Sequence, residues 1–220
     1  MVHTEVWKQL HEELADKGVT LVAVSKTKPA TDIQEMYDLG QRDFGENYVQ
    51  ELVDKETMLP KDIRWHHIGH LQSNKVKYIA PFVHLIHAVD SAKLLAEINK
   101  QAEKNARVID VLLQLHIADE ETKFGMDEQE ISSLLAEAQT LAHVRICGLM
   151  GMATNTDDEQ QIREEYRRLV ALFQSLAAEQ GAPFSICSIG MSGDYRIAVQ
   201  EGSNMVRIGS LLFGERSYPR

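Results

Sequence analysis

Leu21-Val22-Ala23-Val24-Ser25-Lys26-Thr27-Lys28-Pro29 sets four apolar residues, two of them valines, directly before a polar turn that carries two lysines. An apolar run of this kind reads as a strand buried on both faces, the pattern of a parallel sheet flanked by helices. Lys26 falls at the carboxyl end of that strand. Two readings are open for it. One is a surface lysine whose stem lies along apolar neighbours while its head reaches water. The other is a reactive amine, because burial disfavours the ammonium, and a neutral amine is what carbonyl attack and Schiff-base formation require.

Outward from this strand the chain alternates. Thr31 is placed to cap a helix and Gln34 to close a capping box, with Ile33, Met36 and Tyr37 on one face and Gly40 ending it. A brief strand at 43–47 precedes a helix that buries Val49, Leu52 and Val53 before Pro60. Further strands are expected at 63–68, 83–89, 108–117, 144–150, 185–189 and 205–208, with 108–117 the longest. Helical patterns separate them. One runs near Val76 and Ile79, and another is capped by Ser91 with Leu94, Leu95 and Ile98 inward. Ile131, Leu134, Leu135 and Ala138 fall at i, i+3, i+4, i+7. A long helix from about 157 to 180 ends at Gly181, and a short one passes through Ile197 and Ala198.

Strict alternation of about eight strands with helices predicts parallel strands joined by helical crossovers. Over 220 residues it predicts a closed (β/α)8 barrel of the TIM type, one domain spanning 1–220, rather than an open doubly wound sheet. No G-x-G-x-x-G supports the open alternative. Val6, Leu10 and Leu14 form an i, i+4 stripe in a segment expected to cover the gap where the chain ends meet.

A net charge of −10 argues against general affinity for nucleic acid, yet leaves room for a small anion in a local positive pocket. No apolar run approaches the roughly 20 residues needed to span a membrane. The amino terminus has no basic stretch followed by an apolar one, so a soluble cytoplasmic protein without membrane association is expected. Cys147 and Cys187 lie far apart in strands and are expected to be core residues, neither paired nor metal-bound. His66 and His67 are adjacent on a strand and so face opposite ways. With His70 they show no third ligand at a suitable spacing, and no metal is expected.

In such a barrel the site lies at the carboxyl ends of the strands. Lys26, Glu46, Asn47, His70, Gln72, Asp90, Ser91, Met152, Thr154, Ser192, Arg207, Gly209 and Ser210 fall there, with Asp90-Ser91 reading as a helix cap. The segments 190–194 and 207–210 follow strands seven and eight, where barrels hold phosphate groups on glycine N–H donors. Each glycine alone could equally end a strand.

The segments VAVSKTKP (22–29), FGENYVQE (44–51), WHHIGHLQSNK (65–75), GLMGMAT (148–154), SIGMSGDY (188–195) and VRIGSLLFGER (206–216) together resemble the pyridoxal phosphate homeostasis protein family, relatives of the alanine racemase N-terminal barrel domain. The resemblance covers most of the chain. His67 stands where that family often has phenylalanine, and Ser210 where threonine is common.

The resemblance implies a cofactor, pyridoxal 5'-phosphate (PLP), held as a Schiff base on Lys26. Ser192, Gly209 and Ser210 would bind its phosphate, Arg207 would face the pyridine nitrogen, and Asn47 and Met152 would line the ring. It also implies a non-catalytic role in PLP storage, buffering or delivery, with PLP-dependent apoenzymes as recipients and a monomer as the expected state. Two alternatives stay open: a PLP enzyme such as an amino-acid racemase, and a cofactor-free Schiff-base aldolase. The racemases carry an added β domain and a partner subunit's tyrosine, for which 220 residues leave no room.

Overall fold

Leu21 and Ala23 pack outward into the large core shared with the helices, whereas Val22 joins a smaller cluster with Leu85, Leu112 and Met150 inside the barrel. The first strand is thus apolar on both sides because both sides are covered. The computed structural model describes residues 2–119 and 124–214. Its strands are β1 (Thr20–Val24), β2 (Asp43–Glu46), β3 (Arg64–His67), β4 (Leu85–Val89), β5 (Ile109–Gln114), β6 (Val144–Met150), β7 (Ile186–Ser188) and β8 (Met205–Ile208). They pair in chain order, all parallel, and β8 returns to β1 in the register Thr20↔Met205 to Ala23↔Ile208, which closes the barrel.

Around it run α1 (Thr4–Ala15), α2 (Ala30–Asp38), α3 (Val49–Met58), α4 (Val76–Ile79), α5 (Ala92–Lys104), α6 (Glu128–Ala138), α7 (Glu159–Gln180), α8 (Tyr195–Glu201) and α9 (Ser210–Phe213). Among the described residues no helix is long and apolar enough to cross a membrane. The expected amino-terminal cover is α1, which buries Trp7, Leu10 and Leu14 and packs on β1 and α9 where the barrel closes. Cys147 and Cys187 are buried free thiols.

Two expectations fail locally. Thr31 is not a cap: the helix starts at Ala30, Pro29 is its N-cap without a side-chain bond, and Gln34 bonds Asp38 instead. A proline there costs nothing, since a first-turn N–H has no intrahelical partner. The capping box in the structure is Asp127 with Glu130, at the start of α6. The strand expected at 108–117 is shorter, because Val108 is exposed and Leu115 makes only an isolated bridge to Met126. The longest strand is β6, with 7 residues.

His67 points away from the barrel interior and is fully buried, and neither ring nitrogen makes a well-formed hydrogen bond, its one polar interaction being a weak one with the Asn47 backbone. Burial pushes its pKa from an ordinary 6.5 down to about 4. The unfolded chain therefore binds a proton here that the folded chain refuses, and stability falls as pH drops from 6.5 toward 4. His67→Phe is expected to remove up to roughly 3 kcal/mol of that acid sensitivity. Urea unfolding of both proteins across this window measures it, and parallel acid limbs would contradict the assignment.

Candidate functional site

Val22 and Val24 alternate inward along β1, and Lys26, next in that alternation, reaches a cavity of about 290 Å³ at the carboxyl end of the barrel. Lys26, Asn47, Met152, Ser192, Arg207, Gly209 and Ser210, contributed by five strand ends, all line this one cavity. Glu46, Gln72 and Thr154 do not line it, nor do His70 and Asp90, which bond each other at 3.1 Å. Ser91 caps α5 as expected, accepting from the Leu94 N–H. Lys28, Ile68 and Met191 line the cavity without having been singled out as binding residues. Lys28 looked like a turn residue, yet its Nζ donates to the Phe213 carbonyl at 2.7 Å and to Gly214 at 3.3 Å, tying the first loop to the end of α9.

The lysine turn is held from behind. Ser25 Oγ donates to Glu46 at 2.6 Å, and the Lys55 ammonium on α3 meets Glu46 at 2.7 Å, Glu51 at 2.6 Å and the Ser25 carbonyl at 2.8 Å. Thr27 sits at φ 64, a left-handed conformation rare for a β-branched residue, and its N–H is taken by Glu51 at 2.6 Å. Such strain costs on the order of 1–3 kcal/mol and persists only where its surroundings enforce it. Burial pushes the Glu46 carboxyl up to about 7, against the pull of Lys55 and Ser25.

Opposite lies the glycine- and serine-rich rim. Asp194 accepts from the Met191 N–H at 2.6 Å and from the Tyr166 hydroxyl at 2.9 Å, so α7 fixes the loop after β7. Gly190 has φ 99, and a Cβ there would come within 2.6 Å of Ala198. At Gly209 a Cβ would press on the Val24 carbonyl at 3.2 Å, so a bare backbone lets this loop close on β1. Ser192 Oγ accepts from the Gly209 N–H at 3.2 Å and joins the two loops.

The chemistry of the lining suits an anion. Among the described residues it contains three basic side chains, Lys26, Lys28 and Arg207, and no carboxylate, in a protein of net charge −10. Asn47 Oδ1 is buried without a partner, an acceptor left for a ligand's donor. Arg207 is 4 % exposed, and desolvation lowers its pKa. The volume is near the lower end of the roughly 300–1,000 Å³ common for small-molecule sites.

At the other end of the barrel Asp43, His66 and His84 place possible ligand atoms within 4.8 Å of one another, a grouping that sequence spacing did not reveal. Both Asp43 oxygens are already taken by Arg64, at 2.7 and 2.6 Å. A metal cation there would sit against a guanidinium.

The family model for the alanine racemase N-terminal domain matches residues 4–217, so the barrel and its mouth are of that class. Alanine racemase of Clostridium difficile 630 shares the fold with a TM-score of 0.77 at 13% identity, covering 98% of this chain and 61% of that one. The pyridoxal phosphate homeostasis protein of Aquifex aeolicus is 41% identical over 199 residues, 90% of this chain and 87% of that protein. Its namesake in Escherichia coli K12 is 38% identical over 206 residues, 92% of this chain and 88% of that protein. PipY of Synechococcus elongatus, solved with PLP bound, superposes with a TM-score of 0.85 at 34% identity, covering 96% of this chain and 99% of that one. This chain belongs to the pyridoxal phosphate homeostasis protein family.

If the serine rim holds a phosphate, Ser192→Ala and Ser210→Ala should each weaken PLP binding. A hydrogen bond to a charged group is worth about 1.5–3 kcal/mol, roughly ten- to a hundred-fold in affinity. Ser192 should be the more sensitive position because it also anchors Gly209. Equilibrium dialysis measures both, and unchanged affinity in the double variant would place the phosphate elsewhere.

Proposed function

We propose that this protein binds PLP in the cavity at the barrel mouth and serves intracellular PLP homeostasis by storing, buffering or delivering the cofactor. PLP-dependent apoenzymes are the recipients, so amino-acid and keto-acid metabolism is affected indirectly. The observation that carries this reading is the convergence of a lysine amine, a serine–glycine rim and a buried guanidinium on one cavity, with no carboxylate among its described lining residues. Those groups match an anionic aldehyde with a heteroaromatic ring, and the PLP-bound relative supports the same ligand.

When bound, PLP supplies an aldehyde for condensation with an amine and a ring that can withdraw electrons from the attached carbon. Lys26 would supply the amine for that condensation, since its side chain lines the cavity. Ser192, Ser210 and the Gly209 backbone would hold the phosphate, while Asn47 and Met152 would border the ring. Arg207 would face the pyridine nitrogen, where its charge would oppose protonation and weaken the ring as an electron sink.

The same lining argues against racemase-type turnover, which needs one group to remove a proton and another to return it on the opposite face. Lys26 can be one. Lys28 is tethered to two carbonyls, and an arginine does not release its proton. Loaded protein incubated with L-amino acids in deuterated water is therefore expected to show a visible cofactor band but no rapid α-hydrogen exchange. A colourless protein after incubation with PLP would sink the binding reading. Exchange on the order of 1–10³ per second would make the protein an enzyme.

A further inference from the structure

Barrel interiors of this class are ordinarily filled by branched apolar side chains. Here a line of polar side chains crosses the interior from the cavity to the opposite end. Arg207 Nη1 donates to the Ser188 hydroxyl and to the Ser188 carbonyl, both at 2.7 Å, and Nη2 donates to the Gly151 carbonyl at 3.0 Å. Ser188 Oγ lies 3.0 Å from His87 Nδ1, and His87 Nε2 lies 2.9 Å from His66 Nδ1. His66 Nε2 lies 3.0 Å from Asp43 Oδ1, which Arg64 also holds. Ser188 is on β7 and His87 on β4, strands that are not neighbours, so this contact spans the barrel. Ser188, His87, His66 and Arg207 are all buried.

The direction of every bond follows from the ends. A guanidinium only donates, so Ser188 Oγ accepts from Arg207, and with both imidazoles neutral the Asp43 carboxylate at the far end, which only accepts, makes Ser188 give its own proton to His87 Nδ1. His87 then carries its proton on Nε2 and donates to His66 Nδ1. That leaves the His66 proton on Nε2, facing Asp43. The Arg64 and His66 bonds hold the Asp43 carboxyl well below the usual carboxylate range, so it is an acceptor. Reversing one member would set two protons or two lone pairs face to face. A buried network of this kind is favourable only when fully satisfied, and three of the five Arg207 N–H groups are committed to holding the guanidinium in place.

We propose that Ser188, His87 and His66 are positioning residues for Arg207: they lock the guanidinium in the orientation that serves the cofactor ring and keep the ring nitrogen unprotonated. The inference rests on the assignment of the cavity to PLP. It is tested with PLP isotopically labelled at the ring nitrogen and loaded into the wild type, Ser188→Ala, His87→Leu and His87→Gln. NMR at neutral pH separates a protonated ring nitrogen from one that only accepts a hydrogen bond. The glutamine amide can accept from Ser188 and donate to His66, so His87→Gln should keep the wild-type signal. Ser188→Ala and His87→Leu should move the signal to the protonated position while retaining the adduct on Lys26. Ser188→Ala, which deletes one hydroxyl, decides the matter if His87→Leu fails to fold. A wild-type signal in Ser188→Ala overturns the proposal, as does a His87→Gln signal that follows His87→Leu. Failure of the wild type to load would instead overturn the PLP assignment, and this inference with it.

Discussion

Lys26→Ala protein, incubated with PLP and reduced with borohydride, is expected to carry no fixed adduct, whereas the wild type carries one on the peptide containing residues 21–29. The alternation of β1 turns Lys26 into the cavity, and the turn that presents it is pinned by Glu46, Glu51 and Lys55. Lys28 lines the same cavity and is the natural substitute, but its Nζ already donates to the Phe213 and Gly214 carbonyls. Replacing Lys26 leaves the serine rim and Arg207 intact. Reversible binding should therefore persist, supported by charged hydrogen bonds of about 1.5–3 kcal/mol each. Peptide mapping decides the outcome: a full adduct on Lys28, in the wild type or in Lys26→Ala, would show that the wrong amine has been assigned.

The barrel was legible because its signals are local. Leu21 to Val24 are apolar on both faces, and the same strand-then-helix signature recurs along the chain. Once the fold is a closed parallel barrel, strand ends converge, and residues from Lys26 to Ser210 meet in one cavity without any local signal of their own. Thr31 misled because Pro29 can open a helix without a side-chain cap, which shifted the start two residues earlier than a capping-box reading allows.

Other features were hidden by distance. Lys28 finds its carbonyls 185 and 186 residues away, and His87 meets Ser188 across 101 residues. Nothing near either residue marks such a partner. The sole trace of the interior line is the presence of Asp43, His66 and His87 in strands that otherwise read as core. His67, by contrast, sits where the resembled family often has phenylalanine, and its burial without a well-formed hydrogen bond gives that substitution a physical sense.

Lys55→Leu is expected to destabilise the protein by about 3–5 kcal/mol on the alkaline side of neutrality, the usual cost of stranding one member of a buried ion pair. Lys55 is only 4 % exposed, and Glu46 is completely buried with Oε2 already lacking a partner. Removing the ammonium leaves the Glu46 carboxylate with the Ser25 hydroxyl alone and strips a donor from the Ser25 carbonyl. The cost should depend on pH, with a definite sign. The folded Glu46 carboxyl titrates near 7 against an ordinary 4.5, so its protonated form favours folding below 4.5, and that contribution is lost as pH rises through 7. Without Lys55 the folded carboxyl binds its proton more tightly still, and the loss extends to higher pH. The gap between variant and wild type should therefore narrow in acid, where Glu46 is protonated in both, and widen in base. Chemical denaturation on both sides of 7 measures it. A pH-independent deficit would trace the effect to lost packing of the lysine stem. Replacing both partners, as in Glu46→Leu/Lys55→Leu, should recover much of the stability, since an apolar pair strands no charge. It should not recover cofactor retention, because Ser25 would still have lost the groups that hold its hydroxyl and its carbonyl, and Glu51, which holds the Thr27 N–H, would have lost its Lys55 partner.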